Sequence, residues 1–506
     1  MATFRVGVAG DRWRQFFVCC VLLFSSRHVY AKDRATYRMI YQDISFASPC
    51  IRRTNATHQV GCTSNLNGNT GVIHLIENQT DIDWLQDKGS HAPYMAVFNA
   101  DMFKRENIEK ILKTGKVSGI VVDHSNHTRK EIIEEERWYS SDKSCPNQNF
   151  GLYNDTECPI QWNPYGDGTN FDIDFGVPVF ALTHEVEVGF IRDCYFEHNH
   201  PNGTAQPEYP LCSMELDDFM FAVKDTPTCM WRTERTSNLE TSHYCDPIGD
   251  KNVWGFAKNK KPDLASSPSI IIAATQIDAT SLFYRLNPRV GSESVVSGFV
   301  PLLAAAEAIG KLKKEQKDAF DLDIMFTFFN GESYDYIGSS RIVYDMMRGY
   351  FPNNPEDEEE DKDKEKTKLP QINVTDIAYF LELKQLGLGD ESTYYAHVDP
   401  ISQEDEEVYN RTEDIIKILQ GAGDVTVEKA PRDQPLPPAS FQRFLKSGAK
   451  IPGVVLTDHK KEFKNGFYNS RYDIPLFLGI DSETWENDTV ILPISEVRDY
   501  INSISS

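Results

Sequence analysis

The sequence predicts an α/β fold with two lobes, a small N-terminal lobe followed by a larger one. The chain has 506 residues, more than one hydrophobic core normally serves. Short apolar runs alternate with helical stretches in both halves, an order typical of parallel strands joined by helices. The apolar runs of the second half are continuous, which predicts a mostly parallel sheet covered by helices on both faces.

Residues 1–31 have the pattern of a secretory signal peptide. Arg5, Arg12 and Arg14 precede the apolar run 16–24, and Val29-Tyr30-Ala31 offers a cleavage site. The run is too short to span a membrane as a helix. The alternative is a buried apolar start of the fold.

Cysteines and glycosylation sequons agree with secretion. Apart from Cys19 and Cys20, the chain has eight cysteines, all in its N-terminal half and none in CxxC spacing, which argues against a zinc ribbon. Taken in order they form close pairs 12 to 18 residues apart: Cys50 and Cys62, Cys145 and Cys158, Cys194 and Cys212, Cys229 and Cys245. Eight N-x-S/T sequons predict a glycosylated surface. They lie at Asn55, Asn78, Asn126, Asn154, Asn202, Asn373, Asn410 and Asn487.

The predicted small lobe spans residues 36–245 and is rich in cysteine. Its candidate strands are 71–77, 94–98, 118–122 and 178–182. An amphipathic stretch at 101–113 predicts a helix between two of them, so the strands pair in parallel.

The predicted large lobe spans residues 246–475, and residues 476–506 form an atypical C-terminal tail. The apolar strands are 269–275, 323–329, 377–383 and 453–457, and the helices are 294–314 and 339–347. We find no run of 18 apolar residues after 475, so we expect no transmembrane helix there.

The formal net charge of −24 argues against nucleic acid and anionic membrane surfaces as partners. Part of this charge is concentrated at 355–368, a nearly fully charged stretch that predicts a solvated loop inside the large lobe. The alternative for this loop is an acidic docking segment.

Chemistry in α/β folds sits at the carboxyl ends of the strands. The residues near these ends are Gln276, Asp278, Glu332, Ser333, Lys384, Asp458, His459 and Asn469. A dinuclear zinc site needs about five carboxylate or imidazole ligands. Amides, hydroxyls and a lysine stand at several of these places instead. Glu197–His200 could also bind a metal, but it reads as a loop.

The strand order, the GSES helix start at 291–294 and the GESYDYIGS turn at 331–339 resemble the zinc aminopeptidase superfamily, which also contains transferrin receptor. Within it, the chain resembles the nicastrin family, the ectodomain subunits of gamma-secretase. The resembling segments occur in family order across residues 36–475. They include SPCIRRTNATHQVGC (48–62), TGVIHLIEN (70–78), IQWNPYG (160–166), YPLCSMEL (209–216), DYIGSSRIVYDM (335–346) and QPLPPASFQRFL (434–445). The resemblance implies a zinc-aminopeptidase-like large lobe beside a smaller α/β lobe, and it favours disulfides between cysteines that are neighbours in sequence.

The resemblance further implies that the metal ligands are replaced. Glu332 stands at the general-base position, but a base without metal-bound water has little to activate. The metal-binding positions of active relatives fall on Gln276, Asp278, Ser294, Ser333, Lys384 and Asn469. Only Asp278 is still a carboxylate, and Lys384 would repel zinc. We therefore expect no metal, no cofactor and no catalytic residue.

Glu332, Tyr336 and Trp162 are the candidate substrate-binding residues. In nicastrins the equivalent Glu and the DYIGS segment are linked with the free N-terminus of the substrate and with complex assembly. A carboxylate in a former aminopeptidase pocket could attract an ammonium group. Alternatively, Glu332 caps the following helix or pairs with an arginine. The segment 160–168 resembles a loop of the small lobe that covers this pocket, and its alternative is an ordinary turn with Trp162 buried.

The resemblance implies a non-catalytic, pseudo-peptidase subunit that screens type I membrane protein stubs, such as Notch and amyloid precursor protein, for presenilin and the other gamma-secretase subunits. We expect a secreted or lumenal glycoprotein of the secretory pathway. The resemblance implies a family anchored by a single transmembrane helix, and we expect no such helix within this sequence. The alternatives are a secreted metal-dependent aminopeptidase and a soluble binding ectodomain without its membrane anchor.

Overall fold

The computed structural model describes residues 41–54, 59–65, 67–125, 138–145, 152, 160–169, 173–200, 209–217, 225–237, 248–258, 264, 268–283, 290–352, 369–389, 393–421 and 425–478. The expected signal peptide, the acidic loop 355–368 and most of the expected C-terminal tail lie outside these residues. Two large sheets organise the described part of the chain, one in each half.

The first sheet has six described strands in the order β1-β7-β6-β5-β4-β8. Strands β4 to β7 pair in parallel, and β1 and β8 add antiparallel edges. The strands of this lobe, including a separate β2–β3 hairpin, are β1 Ala47–Pro49, β2 Arg52–Thr54, β3 Gln59–Gly61, β4 Asn69–Ile76, β5 Tyr94–Asn99, β6 Val117–Asp123, β7 Val179–Leu182 and β8 Ser213–Leu216.

Helices cover both faces of this sheet, and each face has its own apolar core. The helices are α1 Gln79–Asp87, α2 Arg105–Lys113, α3 Glu185–Cys194 and α4 Thr226–Ser237, and a π-helical turn, Tyr195–Asn199, extends α3. Ile82 of α1 and Ile108 of α2 pack on the same face of the sheet. Val188 and Ile191 of α3 pack on the opposite face.

The second sheet has seven described strands in the order β14-β13-β15-β12-β10-β11-β9. The central strands β10, β11, β12 and β15 run parallel, whereas β9 pairs antiparallel with β11 and β13 antiparallel with β15. The bounds are β9 Val253–Phe256, β10 Ile270–Gln276, β11 Asp323–Phe329, β12 Ile377–Leu383, β13 Thr393–His397, β14 Thr426–Lys429 and β15 Gly453–Thr457.

Helices again cover both faces, which explains why the central strands β10, β11 and β15 are buried along their whole length. The helices are α5 Ser297–Gly310, α6 Lys314–Asp318, α7 Ile337–Arg348, α8 Glu406–Gly421, α9 Phe441–Lys446 and α10 Pro475–Leu478, and a π-helical turn, Ser292–Val296, precedes α5. α5 and α8 pack on one face, whereas α7 and α9 pack on the other.

The predicted α/β class with a mostly parallel large sheet is confirmed, and each of the eight predicted strands is present. The predicted helix at 101–113 is shorter, because a 3₁₀ turn at Ala100–Met102 comes first and α2 begins at Arg105. The predicted helix at 294–314 divides into the π-helical turn and α5. The short strands β1, β2, β3, β8, β9, β13 and β14 were not predicted.

Among the described residues, one helical segment, Ser292–Gly310, is long and apolar enough to cross a membrane. Leu302, Ala305 and Ile309 of this segment are fully buried in the core of the large sheet. Its apolar composition therefore serves packing on the sheet.

The structure contains disulfides between Cys50 and Cys62, with Cα atoms 6.0 Å apart, and between Cys194 and Cys212, with Cα atoms 5.8 Å apart. Both join cysteines that are neighbours in sequence. Cys145 is also disulfide-bonded, and so is Cys229. The partners expected for them, Cys158 and Cys245 respectively, lie outside the described residues.

The first prediction concerns a buried ion pair at the start of β11. Lys258 Nζ lies 3.0 Å from Asp323 Oδ1 and donates to the carbonyl of Phe320, and both charged side chains are almost fully buried. Lys258→Met leaves the Asp323 carboxylate without its cation, so we expect a loss of about 3–5 kcal/mol in unfolding free energy.

Lys311→Met is the matched control, because the Lys311–Glu307 pair is exposed and such pairs contribute at most about 1 kcal/mol. Urea unfolding of both variants measures the difference. Equal stabilities would mean that water, rather than Lys258, compensates Asp323.

Candidate functional site

The predicted polar residues meet at the carboxyl edge of the large sheet. Strands β15, β12, β10 and β11 are neighbours in that order, and one or two of these residues follow the end of each. Five of the six predicted metal-binding positions are buried: Gln276, Ser294, Ser333, Lys384 and Asn469. The sixth, Asp278, is half-buried.

Lys384 and Gln276 bind each other directly. The Lys384 ammonium donates to Gln276 Oε1 at 3.0 Å, and Gln276 Nε2 donates to the backbone carbonyl of Asp278. Burial lowers the pKa of Lys384, while the charges of Glu382 and Glu332 oppose this shift. Two of the predicted metal positions, Gln276 and Lys384, are thus joined by a hydrogen bond between an ammonium group and an amide oxygen.

Asp278 binds the turn that follows β11. Its carboxylate accepts hydrogen bonds from the backbone amides of Gly331, Glu332 and Ser333 at 2.8–2.9 Å, and from the Ser333 hydroxyl. Four donors thus surround the one carboxylate retained among the metal-binding positions. The sequence analysis placed Asp278 and Ser333 at the same edge of the large sheet, but it did not predict the hydrogen bonds between them.

Ser294 is held by Asp473, a residue that the sequence analysis missed. The Asp473 carboxylate accepts from the backbone amides of Glu293 and Ser294 and from the Ser294 hydroxyl at 2.6 Å. Burial raises the pKa of Asp473, and these hydrogen bonds oppose the shift. The available signal was its place four residues after Asn469, in a polar segment that follows the last predicted strand.

Glu332 caps the helix that follows it, as one of its two sequence-based interpretations expected. Its carboxylate accepts from the backbone amide of Ser339 at 2.8 Å, from the Ser339 hydroxyl at 2.7 Å and from the Ser440 hydroxyl at 2.6 Å. The side chain is 4% exposed. Burial raises the pKa of Glu332 to about 7, with a smaller contribution from the charge of Glu382.

Tyr336 lies beside Glu332 in the same turn. Its φ of 58° places it in the left-handed region, where a bulky residue is strained. The cations of Arg443 and Lys384 lie 5.0 and 5.9 Å from the centre of its ring, within the range of cation–π attraction. A buried aromatic ring with two cations thus forms one wall of the site.

Glu382 was missed because it lies inside the apolar strand β12. It is completely buried, and its oxygens accept from the backbone amides of Ser440 and Phe441 at 2.9 Å, where α9 begins. Burial raises its pKa, and the nearby Lys384 opposes this shift. A lone carboxylate in an apolar strand was the signal that could have found it.

The small lobe reaches the site through residues 138–145 and 160–169. Trp162 is 1% exposed, and its ring lies 5.5 Å from His397, 6.0 Å from His459 and 6.5 Å from Phe463. The Phe463 amide also donates to the Trp162 carbonyl at 2.8 Å. Trp162 therefore fixes the loop 160–168 on the large lobe rather than forming a turn within its own lobe.

Asn469 takes part in the same contact between the lobes. Its Nδ2 donates to Asp142 Oδ2 at 2.8 Å, and the Ser140 and Ser141 hydroxyls donate to the carbonyls of Tyr468 and Asn469. Burial raises the pKa of Asp142 to about 6. The predicted metal position at Asn469 thus binds a carboxylate of the other lobe.

Asp458 and His459 form a structural pair. Asp458 Oδ1 lies 2.9 Å from His459 Nδ1, and Asp458 Oδ2 accepts from the Leu388 amide. The His459 ring packs edge-on against Trp162. Burial lowers the pKa of the neighbouring His397 to about 3, so this imidazole stays neutral.

Zinc does not fit this donor set. In the part of the chain that the structure describes, no group of three or more His, Cys, Asp or Glu side chains is placed to hold a metal ion. The side-chain oxygen of Gln276 already accepts a hydrogen bond from Lys384. The carboxylate oxygens of Asp278 already accept hydrogen bonds from four donors. The segment Glu197–His200 does not form a metal site either, since Asn199 binds backbone groups instead.

Three of the predicted sequons lie within the described residues. Asn78, Asn373 and Asn410 are all exposed, and Asn78 and Asn373 cap the helical turns that follow them. The other sequons, at Asn55, Asn126, Asn154, Asn202 and Asn487, lie outside the described part of the chain.

Two family models match the chain. One is described as the nicastrin small lobe and covers residues 49–222, and the other as the nicastrin large lobe and covers residues 269–496. Nicastrin of Homo sapiens is 36% identical over 482 residues, which are 92% of this chain and 63% of that protein. Nicastrin of Caenorhabditis elegans is 26% identical over 487 residues, 90% of this chain and 65% of that protein. The chain therefore spans less than two thirds of the length of these relatives.

A solved crystal structure of the gamma-secretase component nicastrin has a similar fold. It matches with a TM-score of 0.65 and 22% sequence identity, over 92% of this chain and 75% of the other. The two-lobed arrangement of sheets described above is thus the arrangement of a known structure.

The second prediction concerns pH. An ordinary glutamate has a pKa of 4.5, whereas the pKa of Glu332 is raised to about 7, so between these values the folded chain binds a proton that the unfolded chain does not. The contribution of this group is therefore fully present below pH 4.5 and is lost as pH rises to 7, by about 3 kcal/mol in total. Glu332→Gln removes this dependence, so the stability of the wild type relative to the variant should fall by that amount.

Urea unfolding at a series of pH values measures this difference. Glu315→Gln is the control, because Glu315 is exposed on α6 and its removal should leave the difference from the wild type constant. A constant difference for Glu332→Gln as well would mean that folding leaves the pKa of Glu332 unchanged.

Proposed function

The chain belongs to the nicastrin family, and from this premise we propose that it acts as a non-catalytic subunit of a gamma-secretase complex. Its partners in this proposal are presenilin and the other subunits. Its role is to hold and screen stubs of type I membrane proteins, of the Notch and amyloid precursor protein class. The chain spans 63% of the length of human nicastrin. That this chain has the role of a whole nicastrin is therefore part of the proposal.

The observation that carries the non-catalytic part of this proposal is the hydrogen bond between Lys384 and Gln276. A metal ion at these two positions would have to displace a buried ammonium group and would be repelled by its charge. We therefore interpret Gln276, Asp278, Ser294, Ser333, Lys384 and Asn469 as former metal positions that now bind protein groups. Glu332 is left without a metal-bound water to activate.

We further propose that the protein enters the secretory pathway and acts on the lumenal or extracellular side. The disulfides of the small lobe and the exposed sequons at Asn78, Asn373 and Asn410 support this location. The division into a signal peptide at 1–31, a small lobe at 36–245, a large lobe at 246–475 and a tail at 476–506 belongs to the same proposal.

Substrate recognition is proposed to use Glu332, Tyr336 and Trp162. Because Glu332 is 4% exposed, the free N-terminus of a substrate reaches it only when the site opens. Trp162 packs against Phe463, and the rings of Phe463 and Tyr468 lie 4.6 Å apart, so the loop 160–168 belongs to the packing that must move. The incoming ammonium would then take over hydrogen bonds that Ser339 and Ser440 now donate to Glu332.

The third prediction tests the subunit role. The purified protein should carry no stoichiometric zinc by elemental analysis, and it should release no amino acids from peptides, because Lys384 and Gln276 are already bound to each other. Expressed with presenilin and the other subunits, it should co-purify with them from detergent-solubilised membranes.

A secreted, unrelated glycoprotein carried through the same purification is the control. One or more zinc ions per chain together with chelator-sensitive peptidase activity would instead establish an aminopeptidase. Recovery of the chain from the medium without presenilin would establish a free binding ectodomain.

The fourth prediction concerns Glu332 as a receptor for the substrate N-terminus. Glu332→Gln keeps the size of the side chain and removes its charge, and a hydrogen bond to a charged group contributes roughly 1.5–3 kcal/mol. Substrate binding by the assembled complex, measured at pH 8 where Glu332 is ionised, should weaken roughly ten- to a hundredfold. Acetylating the substrate N-terminus should have the same effect, and the two changes should not add.

Ser339→Ala is the matched control. It removes one hydrogen bond to Glu332 but keeps the charge, so it should lower stability without making binding insensitive to acetylation. If Glu332→Gln leaves binding intact and blocks assembly of the complex, Glu332 acts only as a helix cap and the receptor role is wrong.

A further inference from the structure

A cavity of about 650 Å³ lies in the small lobe, between α1 and the π-helical turn Tyr195–Asn199. Its size is that of a site for a small organic molecule. It shares no lining residue with the carboxyl edge of the large sheet, so its chemistry is separate from that of Glu332.

Aromatic rings form the inner surface of this cavity. His74 stacks on Trp84 with ring centres 4.7 Å apart, and Tyr94 meets Trp84 edge-on at 6.1 Å. On the opposite wall, His200 stacks on Tyr195 at 5.8 Å. Burial lowers the pKa of His74, which keeps this ring neutral at the centre of the cluster. Such a surface presents ring faces and edges that attract organic cations.

Carboxylates stand at the rim. Asp83 and Asp87 are exposed and lie one helical turn apart on α1. Asp83 accepts one long hydrogen bond, at 3.4 Å from Gln79. Asp81 also lines the cavity, but one of its oxygens already accepts from the backbone amides of Glu77 and Asn78. Against these three carboxylates the lining has one cationic side chain, Lys88, so the cavity is net negative.

A buried acceptor completes the lining. Nδ1 of His200 is buried and has no hydrogen-bond partner among the residues that the structure describes. In the tautomer that carries its proton on the other ring nitrogen, Nδ1 accepts a hydrogen bond. A buried polar atom without a partner is costly in a folded protein. A ligand with N–H donors would supply the missing bond.

The wall that carries His200 is fixed before any ligand binds. Asn199 Nδ2 donates to the carbonyls of Ile73 and Cys212, and its Oδ1 accepts from the Cys212 amide, at 2.8–2.9 Å. The Cys194–Cys212 disulfide ties the same turn to the strand region before β8. A preformed wall lowers the entropic cost of binding.

We propose that this cavity binds an organic cation with N–H donors, an alkylammonium or guanidinium group. The cation lies against the rings of Trp84 and Tyr195, pairs with Asp83 and Asp87, and donates to Nδ1 of His200. Carboxylates and ring faces together favour a cation over a neutral or anionic ligand. The group can belong to a free small molecule or to a lysine or arginine side chain of a peptide.

Isothermal titration of the purified, glycosylated chain with ethylguanidinium and n-butylammonium tests this site. We expect dissociation constants on the order of 1 mM for ligands of this size. Neutral n-butanol should bind at least about tenfold more weakly, since it lacks the charge. Tetramethylammonium, which has no N–H donors, should bind more weakly than n-butylammonium.

The double variant Asp83→Asn, Asp87→Asn should weaken binding of ethylguanidinium about five- to thirtyfold, because two partly solvated ion pairs are lost. Glu106→Gln is the matched control, because it removes an exposed carboxylate of α2 in the same lobe and should leave binding unchanged. Circular dichroism checks that all variants are folded. His200→Phe keeps an aromatic ring but removes the acceptor, and it should reduce the preference for n-butylammonium over tetramethylammonium.

A glycine-arginine-glycine peptide with blocked ends distinguishes the two sources. Tighter binding of the peptide than of ethylguanidinium assigns the cavity to a peptide side chain, and weaker binding assigns it to a free cation. The proposal is overturned if none of the cations binds, if n-butanol binds as well as n-butylammonium, or if the two rim substitutions leave the affinity for ethylguanidinium unchanged.

Discussion

A carboxylate that is buried or half-buried at the edge of a sheet must find hydrogen-bond donors, and this constraint organises the large lobe. Asp278 binds the backbone amides of the turn after β11, and Asp473 binds those at the start of the π-helical turn before α5. Glu332 binds an amide in the first turn of α7, and Glu382 binds amides where α9 begins. Amides at helix starts lack partners within their own helix. Each carboxylate therefore accepts hydrogen bonds from backbone amides that would otherwise lack partners, and it thereby fixes the position of the segment that carries them.

The contact between the lobes depends on the same edge of the sheet. Asn469 uses its side-chain amide to bind Asp142 of the small lobe, and Trp162 packs among His397, His459 and Phe463. Gly466 lies so close to Trp138 that a Cβ there would come within 2.6 Å of the ring. The loops at the carboxyl edge of the large sheet thus form the surface on which the small lobe packs. Substitutions in these loops should therefore alter the packing of both lobes.

The sequence was sufficient for the fold and for the location of the site, but not for its contacts. The continuous apolar runs of β10, β11 and β12 can hardly form anything but buried strands, so their ends and the polar residues after them were predictable. The strands β13 and β14 are short and contain polar residues, which gives too weak a signal. The pairing of Asp473 with Ser294 joins residues 179 positions apart. No local sequence pattern encodes such a contact. The resemblance to peptidases predicted metal ligands at these positions rather than hydrogen bonds between protein groups.

Positive charge and bound protons compensate the acidic groups that lie at the carboxyl edge of the large sheet. Here Lys384 supplies a positive charge near Glu382, Glu332 and Asp278. The pKa of Glu332, raised to about 7, means that protonation neutralises part of this carboxylate near neutral pH, whereas Asp142, with a pKa raised to about 6, takes up its proton mainly below neutral pH. The positive charge of Lys384, partial protonation of Glu332 and the hydrogen bonds to each carboxylate therefore together offset the cost of burying so many acidic groups at one edge of the sheet.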